Sequence, residues 1–585
     1  MEIHQLTSLL SVSPQLTAED LEQVVAAGFK TVICHRPDRE AEGQPASDEI
    51  AAACEKLGIA WHYQPVKPRA FTDEQALHFG ELLEEAAGPV LAFCRTGTRC
   101  TNLWALSQAG KTAFPDVLHS AKEAGYDLTK LADRFSALAA AQTTAAETTA
   151  DVESEQPNAS TDKAATTSQE PSATMCGTHD VVIVGGGAGG QAVAASLLKR
   201  QPNLDIGIVE PSAEHYYQPG WTMVGGGIFE ASDTMRDMLD VMPEQAKWYQ
   251  TSVASFVPDQ QVVVLSDGEL LGYKYLVVAP GLSLDWGAIE GLEEALGSNG
   301  VTSNYRYDLA PYTWQLVQKT RSGRAIFTQP PMPIKCAGAP QKAMYLACSE
   351  WLDKACLSSI KVEFCNAGPG LFGVADYVPA LMEYIKKYNI ELGFSQNLIK
   401  VDGPNQMATF AVTDAEGNKS EVEKSFDMLH VCPVQSAPAF IRDSPLADAA
   451  GWLDLDPETM QHKQYQDIFG LGDVSNTANA KTAAAVRKQA PVVAENLLSA
   501  MNSSALQAVY NGYGSCPLTV ERGKIVLAEF GYGGKLLPSF PSWLIEGTKP
   551  SRLSWFLKEK MLPWIYWNLM LKGKEWMAAP GRKGE

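Results

Sequence analysis

The sequence has little positive charge for its size: its 585 residues carry 47 Lys and Arg against 68 Asp and Glu, a net charge of −21. Nucleic-acid binding requires an excess of basic residues to neutralise phosphates, so this balance argues against a nucleic-acid partner. No apolar run is long enough to span a bilayer. The segment from Met1 to Gln5 lacks the basic and apolar regions of a secretory signal, so we expect none.

The sequence also lacks a set of cysteines and histidines with zinc-ligand spacing. Cys94 and Cys100 flank a loop, but no second pair completes a site. The 11 cysteines are scattered and odd in number, which is typical of a reducing compartment and not of a small disulfide-stapled domain. We therefore expect no metal, and we expect most of the thiols to be packed in the interior.

Residues 141–177 contain almost no large apolar side chain, and Ala, Thr, Ser, Glu and Pro dominate. Such a segment buries too little apolar surface to offset its ordering entropy, so we predict a disordered linker. It separates an N-terminal domain, residues 1–140, from a larger domain, residues 178–585. Both domains alternate strand-like and helix-like segments, which predicts an α/β fold in each.

A glycine-rich loop opens the larger domain. Gly185, Gly187 and Gly190 satisfy the GxGxxG pattern, with Ala188 between them, after a strand-like run and before a helical one. Small residues there allow the backbone to approach a pyrophosphate at a helix N-terminus. A second strand-like run ends at Glu210, about 20 residues on, where a carboxylate binds ribose hydroxyls. Together these features predict a dinucleotide site.

Two later segments indicate FAD as the dinucleotide. The run ending in Gly281 resembles the strand and turn that return to the flavin in flavoproteins with two dinucleotide folds. The run ending in Gly472 and Asp473 resembles their final motif, whose Asp bonds the ribityl chain. A second complete glycine pattern is missing, because residues 364–370 lack the spacing of an NAD loop. We therefore predict that the electrons do not come from NADH.

Cys336 begins a turn rich in Gly, Ala and Pro within the segment Lys335 to Lys342, well downstream of the glycine loop. A reactive cysteine in a flavoprotein suggests thiol or sulfide redox chemistry. Residues 179–575 resemble the sulfide:quinone oxidoreductase family, in the branch that contains the mitochondrial enzyme. The matching segments follow one another along nearly the whole domain, at residues 215–219, 335–342, 480–485, 515–518 and 562–568.

The resemblance implies a chemistry for this domain. In the family, sulfide attacks a cysteine disulfide or trisulfide and leaves a persulfide, and two electrons pass through FAD to a membrane quinone. A small thiol or sulfite then removes the sulfur. Cys336 and Cys516 match the two family cysteines. Lys481 and Lys488 are expected near the pyrimidine end of the flavin, where positive charge stabilises the reduced form; a solvated helix face is the alternative.

Near the C-terminus, apolar residues recur at helical intervals between Arg552 and Trp576, interleaved with tryptophans and lysines. This composition is typical of an amphipathic segment in the headgroup layer of a membrane, where it would meet quinone. The alternative is a helix that caps the core, since Pro563 interrupts the pattern. The prediction is a cytoplasmic protein attached peripherally to the inner face of a bacterial membrane.

The N-terminal domain carries Cys94, Arg95 and Arg99 in a loop between a strand-like run and a helical run. Backbone N–H groups of such a loop form an anion nest that stabilises a thiolate. Four residues separate Cys94 from Arg99; protein tyrosine phosphatases use five, and the shorter loop resembles that of rhodaneses. We predict a sulfurtransferase with Cys94 as persulfide carrier and both arginines binding an anion. The alternative is a phosphatase, with Asp38 as general acid.

The sequence therefore predicts a phosphatase-like α/β domain fused to a Rossmann-like flavoprotein with two dinucleotide folds and a C-terminal membrane-contact region. The flavoprotein would generate sulfane sulfur that the tethered domain accepts. One alternative is an NADH:quinone dehydrogenase fused to a tyrosine phosphatase-like domain. Another is a redox-sensing or scaffold protein without turnover.

Overall fold

In the computed structural model the chain forms two compact units, Met1–Thr167 and Ser168–Glu585. The structure describes residues 3–139 and 174–584, with breaks at residues 8, 39, 41–43, 67–70, 87, 113, 127, 129–130, 132–133, 136–137 and 479. The predicted linker lies outside the described residues except at its end. There it is wrong, because strand Met175–Val184 begins at Met175 and pairs with strand Leu270–Val278. Cys176, within the predicted linker, is half-buried in this strand.

The first unit is a five-stranded sheet with helices packed against it. Its strands are His4–Gln5, Leu10–Ser13, Thr31–Cys34, Ala60–Tyr63 and Val90–Phe93, in the spatial order first, second, fifth, third, fourth. All neighbours are parallel except the first pair. The helices are Leu21–Ala26, Ser47–Leu57, Asp73–Glu85, Thr98–Ser107 and Phe114–Glu123. The central strand, Val90–Phe93, is buried at every residue, as expected for a parallel strand covered on both faces.

The second unit contains two mainly parallel sheets, as expected for two dinucleotide-binding folds. The first has seven strands: Met175–Val184, Ile206–Val209, Ala246–Tyr249, Val253–Val257, Val262–Leu265, Leu270–Val278 and Ile468–Gly470. The second has five parallel strands: Val301–Thr302, Gly323–Gln329, Ile360–Asn366, Glu391–Phe394 and Met428–His430. A large apolar core surrounds the first sheet, and two smaller clusters surround the second.

The remaining strands form small antiparallel sheets. Three pair as Gln396–Asp402, Met407–Thr413 and Lys419–Ser425. The two-stranded sheets are Glu214–Tyr216 with Met235–Asp237, Ser283–Asp285 with Val434–Ser436, Ala508–Val509 with Gly581–Arg582, and Gly514–Glu521 with Lys524–Phe530. The last pair, called here the C-terminal hairpin, borders the site described below.

Two α-helices of the second unit, Ala188–Arg200 and Ala483–Met501, pack against each other. The others are Trp221–Gly225, Met238–Val241, Leu292–Ala295, Ala310–Lys319, Ala339–Asp353, Val378–Lys387, Ala439–Arg442, Arg552–Phe556 and Leu562–Asn568. A π-helical turn, Leu557–Met561, joins the last two, so Pro563 lies in the first turn of a helical segment and does not end the helix. Within the described parts of the chain, no helix combines the length and the apolar character needed to cross a membrane.

Candidate active site

The glycine loop joins strand Met175–Val184 to helix Ala188–Arg200. Gly185 has φ +98°, and a Cβ there would lie 2.5 Å from the carbonyl oxygen of Ala279. A Cβ on Gly190 would collide with the carbonyl oxygen of Gly185, whereas one on Gly187 would meet nothing within 4 Å. Gly185 and Gly190 are therefore required by the tight turn, and Gly187 leaves the backbone open to a ligand.

Glu210 is anchored to this loop. Its carboxylate accepts hydrogen bonds of 2.8 Å from the backbone N–H groups of Gly186 and Ser212. These bonds fix the side chain at the end of strand Ile206–Val209, at the edge of a cavity of about 430 Å³. Burial raises the pKa of the Glu210 carboxyl, opposed by the two N–H bonds. The remaining acceptor positions of the carboxylate are available to hydroxyl groups in the cavity.

The same cavity collects most of the residues that the sequence assigns to the cofactor. Seven line it: Gly187, Ala188, Glu210, Gly281, Gly472, Asp473 and Lys481. Lys481 is buried, and its Nζ donates 2.7 Å hydrogen bonds to the carbonyl oxygens of Asp473 and Ser475. Burial lowers the pKa of Lys481 to about 8. Lys481 thus stabilises the Gly472–Asp473 turn, and it does not belong to a solvated helix face.

Cys336 and Cys516 meet in the second unit: their Sγ atoms lie 3.4 Å apart. Cys336 precedes helix Ala339–Asp353 and has a left-handed backbone, φ +50°. Cys516 lies in strand Gly514–Glu521 of the C-terminal hairpin. Gly338 permits the approach, because a Cβ there would come within 2.8 Å of the Cys516 sulfur. Chain folding thus brings together two thiols that are 180 positions apart.

Two buried lysines accompany the thiols. Lys342 donates a 2.9 Å hydrogen bond from Nζ to the Cys336 sulfur, and both Lys342 and Lys558 are only 3% exposed. The hydrogen bond from Cys516 and the charge of Lys342 hold the pKa of Cys336 well below its usual range, against the effect of burial. The hydrogen bond to Cys336, together with burial, raises the pKa of Cys516. Cys336 is therefore the thiolate of the pair and Cys516 the thiol.

Lys558 is one of the lysines that the sequence places in the membrane-contact region at residues 552–576, called here the C-terminal segment, but it is buried. It lies in the π-helical turn, lines the cavity and donates from Nζ to the carbonyl oxygen of Pro219 at 3.0 Å. Burial and the neighbouring charge of Lys342 lower the pKa of Lys558 to about 7. Lys342 was missed as well, although it ends the very segment that carries Cys336.

The turn that carries Cys336 also explains the missing second glycine pattern. It connects strand Gly323–Gln329 to helix Ala339–Asp353 in the second parallel sheet, the position of a dinucleotide loop in such folds. Residues 364–370, considered above for an NAD loop, follow the next strand, Ile360–Asn366. There, the side chain of Asn366 bonds the backbone of Gly368 and Gly370 at 2.8 Å and closes a compact turn.

In the first unit, Cys94 follows the central strand and precedes helix Thr98–Ser107. Cys94 is 1% exposed. A hydrogen bond from the Cys100 thiol, followed by bonds from backbone N–H groups of the loop, lowers the pKa of Cys94 to about 5 although burial opposes this. Gly97 has φ +83°, and a Cβ there would collide with the hydroxyl of Tyr126. The geometry of the loop suits an anion nest that stabilises a thiolate.

The two arginines of the loop differ. Arg95 is exposed, whereas Arg99 is buried beneath the loop. Arg99 donates from Nη2 to Glu40 at 2.7 Å and from Nη1 to the carbonyl oxygens of Val66 and His35 at 3.0 and 3.3 Å. These bonds occupy both terminal nitrogens, so Arg99 braces the loop from inside. Arg95 is left to meet a ligand from solvent.

Asp38, the candidate general acid of the phosphatase alternative, is engaged elsewhere. Its carboxylate accepts hydrogen bonds from the backbone N–H and the hydroxyl of Ser47, at 2.7 and 2.6 Å. Ser47 is the first residue of helix Ser47–Leu57, so Asp38 satisfies a free donor of the helix N-terminus. A side chain used in this way is not positioned to protonate a leaving group.

Comparisons with known proteins divide the chain in the same way. A family model described as the phosphatase-like domain of beta-lactamase hydrolase-like proteins matches residues 2–111, and one described as pyridine nucleotide-disulphide oxidoreductase matches residues 179–317. The mitochondrial sulfide:quinone oxidoreductase of Dictyostelium discoideum is 42% identical over 398 residues, covering 67% of this chain and 86% of that protein. The chain belongs to the sulfide:quinone oxidoreductase family.

Two further comparisons qualify this assignment. The sulfide:quinone oxidoreductase structure from Aquifex aeolicus has a TM-score of 0.55 and 19% identity, covering 66% of this chain and 91% of that one, and it shows the fold alone. The beta-lactamase hydrolase-like protein of Agrobacterium fabrum is 32% identical over 130 residues, covering 22% of this chain and 30% of that protein. The predicted family, the α/β fold class and the N-terminal phosphatase-like domain are confirmed.

FAD is the cofactor of this sulfide:quinone oxidoreductase family member, as the sequence predicts. The cavity fits the group. Besides the glycine turn and Glu210, it is lined by Asn304, which is 6% exposed and whose two amide atoms find no hydrogen-bond partner among the described residues. The indole N–H of Trp221, also on the cavity wall, is likewise unpaired there. Unpaired polar atoms on a cavity wall are expected where a polar ligand binds.

Proposed function

We propose that the second unit oxidises sulfide on the Cys336–Cys516 pair and passes the electrons through FAD to a quinone. The observation that carries this is the 3.4 Å separation of the two sulfurs at a cavity built for a dinucleotide. Sulfide:quinone oxidoreductases are the relatives that the unit resembles. A second dinucleotide loop, which NADH oxidation requires, is replaced by the Cys336 turn.

The unequal protonation of the two thiols suggests their roles. In the oxidised pair HS⁻ attacks Cys516, a bond forms between the two sulfurs, and the disulfide bond breaks with Cys336 leaving as a thiolate. The best leaving group is the sulfur whose pKa is lower, and Lys342 stabilises Cys336 in that form. An external thiol or sulfite removes the outer sulfur from Cys516. Re-forming the disulfide releases two electrons, which bound FAD accepts and transfers to quinone.

Anaerobic addition of sulfide to the purified protein tests this proposal, with the flavin absorbance as the readout and NADH in a parallel cuvette. We expect bleaching by sulfide and none by NADH. Cys336→Ser and Cys516→Ser should abolish it. The control is Cys432→Ser, a thiol that is 1% exposed and packs in the cluster that Cys336 contacts. Bleaching by NADH alone would overturn the proposal in favour of a dehydrogenase.

We propose that the first unit accepts the sulfane sulfur on Cys94, directly or through a small thiol. The lowered pKa of Cys94 and the exposed Arg95 beside it suit a thiolate that meets an anionic donor. The use of Asp38 as a helix cap weighs against the phosphatase alternative. Cys94→Ser should slow sulfur transfer to a thiol and leave quinone reduction unchanged; equal loss of both would contradict the handoff.

We propose that the C-terminal segment attaches the protein to a membrane, at the inner face in a bacterial cell. Large apolar side chains are exposed in this segment and just before it, including Trp543 at 83%; the others are Leu544, Leu553, Phe556 and Trp564. Other side chains of the segment, Leu557 and Ile565 among them, are buried and line the cavity. One segment thus serves both of the predicted alternatives, the membrane face and the cap on the interior, and would guide quinone from bilayer to cavity.

Flotation with phospholipid vesicles tests the attachment. The double variant Trp543→Ala/Trp564→Ala should bind vesicles more weakly than the wild type, because both indoles would be lost from the headgroup layer. Val422→Ala is the matched control, since Val422 is an exposed apolar residue in a different sheet. Equal binding by all three proteins would rule out this surface as the anchor.

A further inference from the structure

A carboxyl and a phenol meet on the wall of the cavity, away from the cysteines. Glu529 is 5% exposed and Tyr513 is 7% exposed, and both line the cavity. The Tyr513 hydroxyl donates to Oε1 of Glu529 at 2.5 Å. Ser539 donates to Oε1 from its hydroxyl at 2.5 Å and to Oε2 from its backbone N–H at 3.0 Å. Among the described residues Glu529 has no ion-pair partner, which is costly for a buried carboxylate.

The strand pairing of the C-terminal hairpin determines on which face Glu529 lies relative to Cys516. Cys516 pairs with Ala528 and Ser515 with Glu529. Successive side chains of a strand point to opposite faces, so Glu529 and Cys516 lie on opposite faces of the hairpin. Four residues on the Glu529 face line the cavity: Ser515, Pro517, Leu527 and Glu529.

That face of the hairpin is continuous with the proposed quinone route. Leu527, two residues before Glu529 and on the same face, packs in an apolar cluster with Leu557, Phe540 and Leu562. Those residues belong to the C-terminal segment or precede it, and they line the cavity too. A quinone ring that enters along the C-terminal segment therefore reaches Glu529 and Tyr513 within an apolar enclosure.

Reduction of a quinone consumes two protons as well as two electrons, and an apolar cavity holds little water to provide them. From this arrangement we infer that Glu529 and Tyr513 form the proton relay of quinone reduction, an inference that rests on the proposed function. Tyr513 breaks its O–H bond as a new O–H bond forms on a quinone oxygen, and the Glu529 proton moves to the Tyr513 oxygen. The electrons come from reduced FAD.

Ser539 connects the relay to solvent. Its hydroxyl lies 3.1 Å from the Tyr513 hydroxyl, and the residue is half-exposed. The Glu529 carboxylate regains its proton by this route, and the same relay then delivers the second proton. The other titratable groups that face Glu529 are Arg487 and Lys488 on helix Ala483–Met501, and Tyr377, whose hydroxyl bonds the Glu529 backbone.

The test separates proton delivery from sulfide chemistry. The FAD-loaded protein is reduced with dithionite, mixed with a short-chain ubiquinone analogue without oxygen, and followed by the return of flavin absorbance. Glu529→Gln and Tyr513→Phe should slow reoxidation about 100-fold, the usual contribution of a general acid. Their quinone KM and their bleaching by sulfide should stay unchanged. Slower reoxidation with an unchanged KM and unchanged bleaching is a split that a merely structural role would not predict.

Glu521→Gln is the control, because Glu521 lies at the far end of the same hairpin and pairs with Lys387 and Lys524. If Glu529→Gln fails to bind FAD, Tyr513→Phe decides. Reoxidation of both relay variants at the wild-type rate would overturn the inference. A wild-type protein that quinone does not reoxidise at all would overturn the proposed function, and this inference with it.

Discussion

Nζ of Lys342 lies 2.9 Å from Sγ of Cys336, although six positions separate them. The distance spans the turn into helix Ala339–Asp353, whose N-terminus also favours negative charge near Cys336. A buried ammonium and a buried thiolate stabilise each other's charged forms. Despite burial, the pKa of Lys342 is raised above its ordinary value by the charge of Cys336 and the hydrogen bond to it. Lys342 therefore stabilises the thiolate form of Cys336 at the sulfide site.

We therefore expect Lys342→Met to slow flavin bleaching by sulfide. The substitution keeps the apolar stem but removes the charge, so the pKa of Cys336 rises and Cys336 becomes a poorer leaving group. A rise of two pKa units corresponds to roughly a tenfold slower exchange. Stopped-flow absorbance near neutral pH measures this, with Lys354→Met, an exposed position just after the same helix, as the control. A wild-type rate for Lys342→Met would contradict the assigned role.

Lys558 should make the stability of the protein depend on pH. Its pKa is lowered to about 7 in the folded chain, against an ordinary value of 10.5. Between these values the unfolded state binds one more proton than the folded state, so stability rises with pH across this window. Lys558→Met should therefore raise the melting temperature most near pH 7, and the gain should shrink towards pH 10. Lys560→Met, an exposed neighbour, should show no such trend.

Cys94 should titrate as a thiolate in mildly acidic solution. The difference in absorbance at the thiolate band between the wild type and Cys94→Ser isolates this group, and its midpoint should lie at about pH 5. Cys100→Ala removes the largest stabilising hydrogen bond, so the midpoint should move to higher pH, by roughly one unit or more. An unchanged midpoint in Cys100→Ala would mean that the backbone nest alone holds the charge.

Asp38→Ala should lower stability without removing chemistry. Loss of the bonds to Ser47 leaves donors at the N-terminus of helix Ser47–Leu57 without a partner, a cost of about 1 kcal/mol. Chemical denaturation, followed through the transition in which the first unit unfolds, measures its free energy of unfolding. Hydrolysis of an aryl phosphate, if the protein has any, should not depend on Asp38. A large selective loss of such hydrolysis would restore the phosphatase alternative.

Features that depend on neighbouring residues could be predicted from the sequence. The glycine loop, Glu210 and the Cys94 nest each follow from a short segment with a strand before it and a helix after it, because local geometry decides them. The meeting of Cys336 and Cys516 could be expected only from resemblance, since chain spacing carries no information about distance. Strand Met175–Val184 was missed at its start because polar, small residues there pair with a neighbouring strand that lies far along the chain.

Burial of charge was the main feature that the sequence did not reveal. Lys558 reads as one of several solvated lysines, and only the π-helical turn rotates it into the cavity. Arg99 reads as an anion ligand, and its partner Glu40 lies 59 positions away. The sequence did not mark Glu529 as a functional residue. A single acidic residue in an apolar strand stands out only in the structure, where Tyr513 and Ser539 donate hydrogen bonds to it.

The turn between Gln329 and Ala339 bears on which reductant a flavoprotein of this fold can use. A parallel sheet with a glycine-rich turn at that point holds a bulky organic reductant, and the same sheet with a thiol there receives an inorganic anion. The surrounding strands and helices need not differ between the two. Exchange of the residues at this one crossover would therefore convert a site for a dinucleotide reductant into a site for an inorganic one.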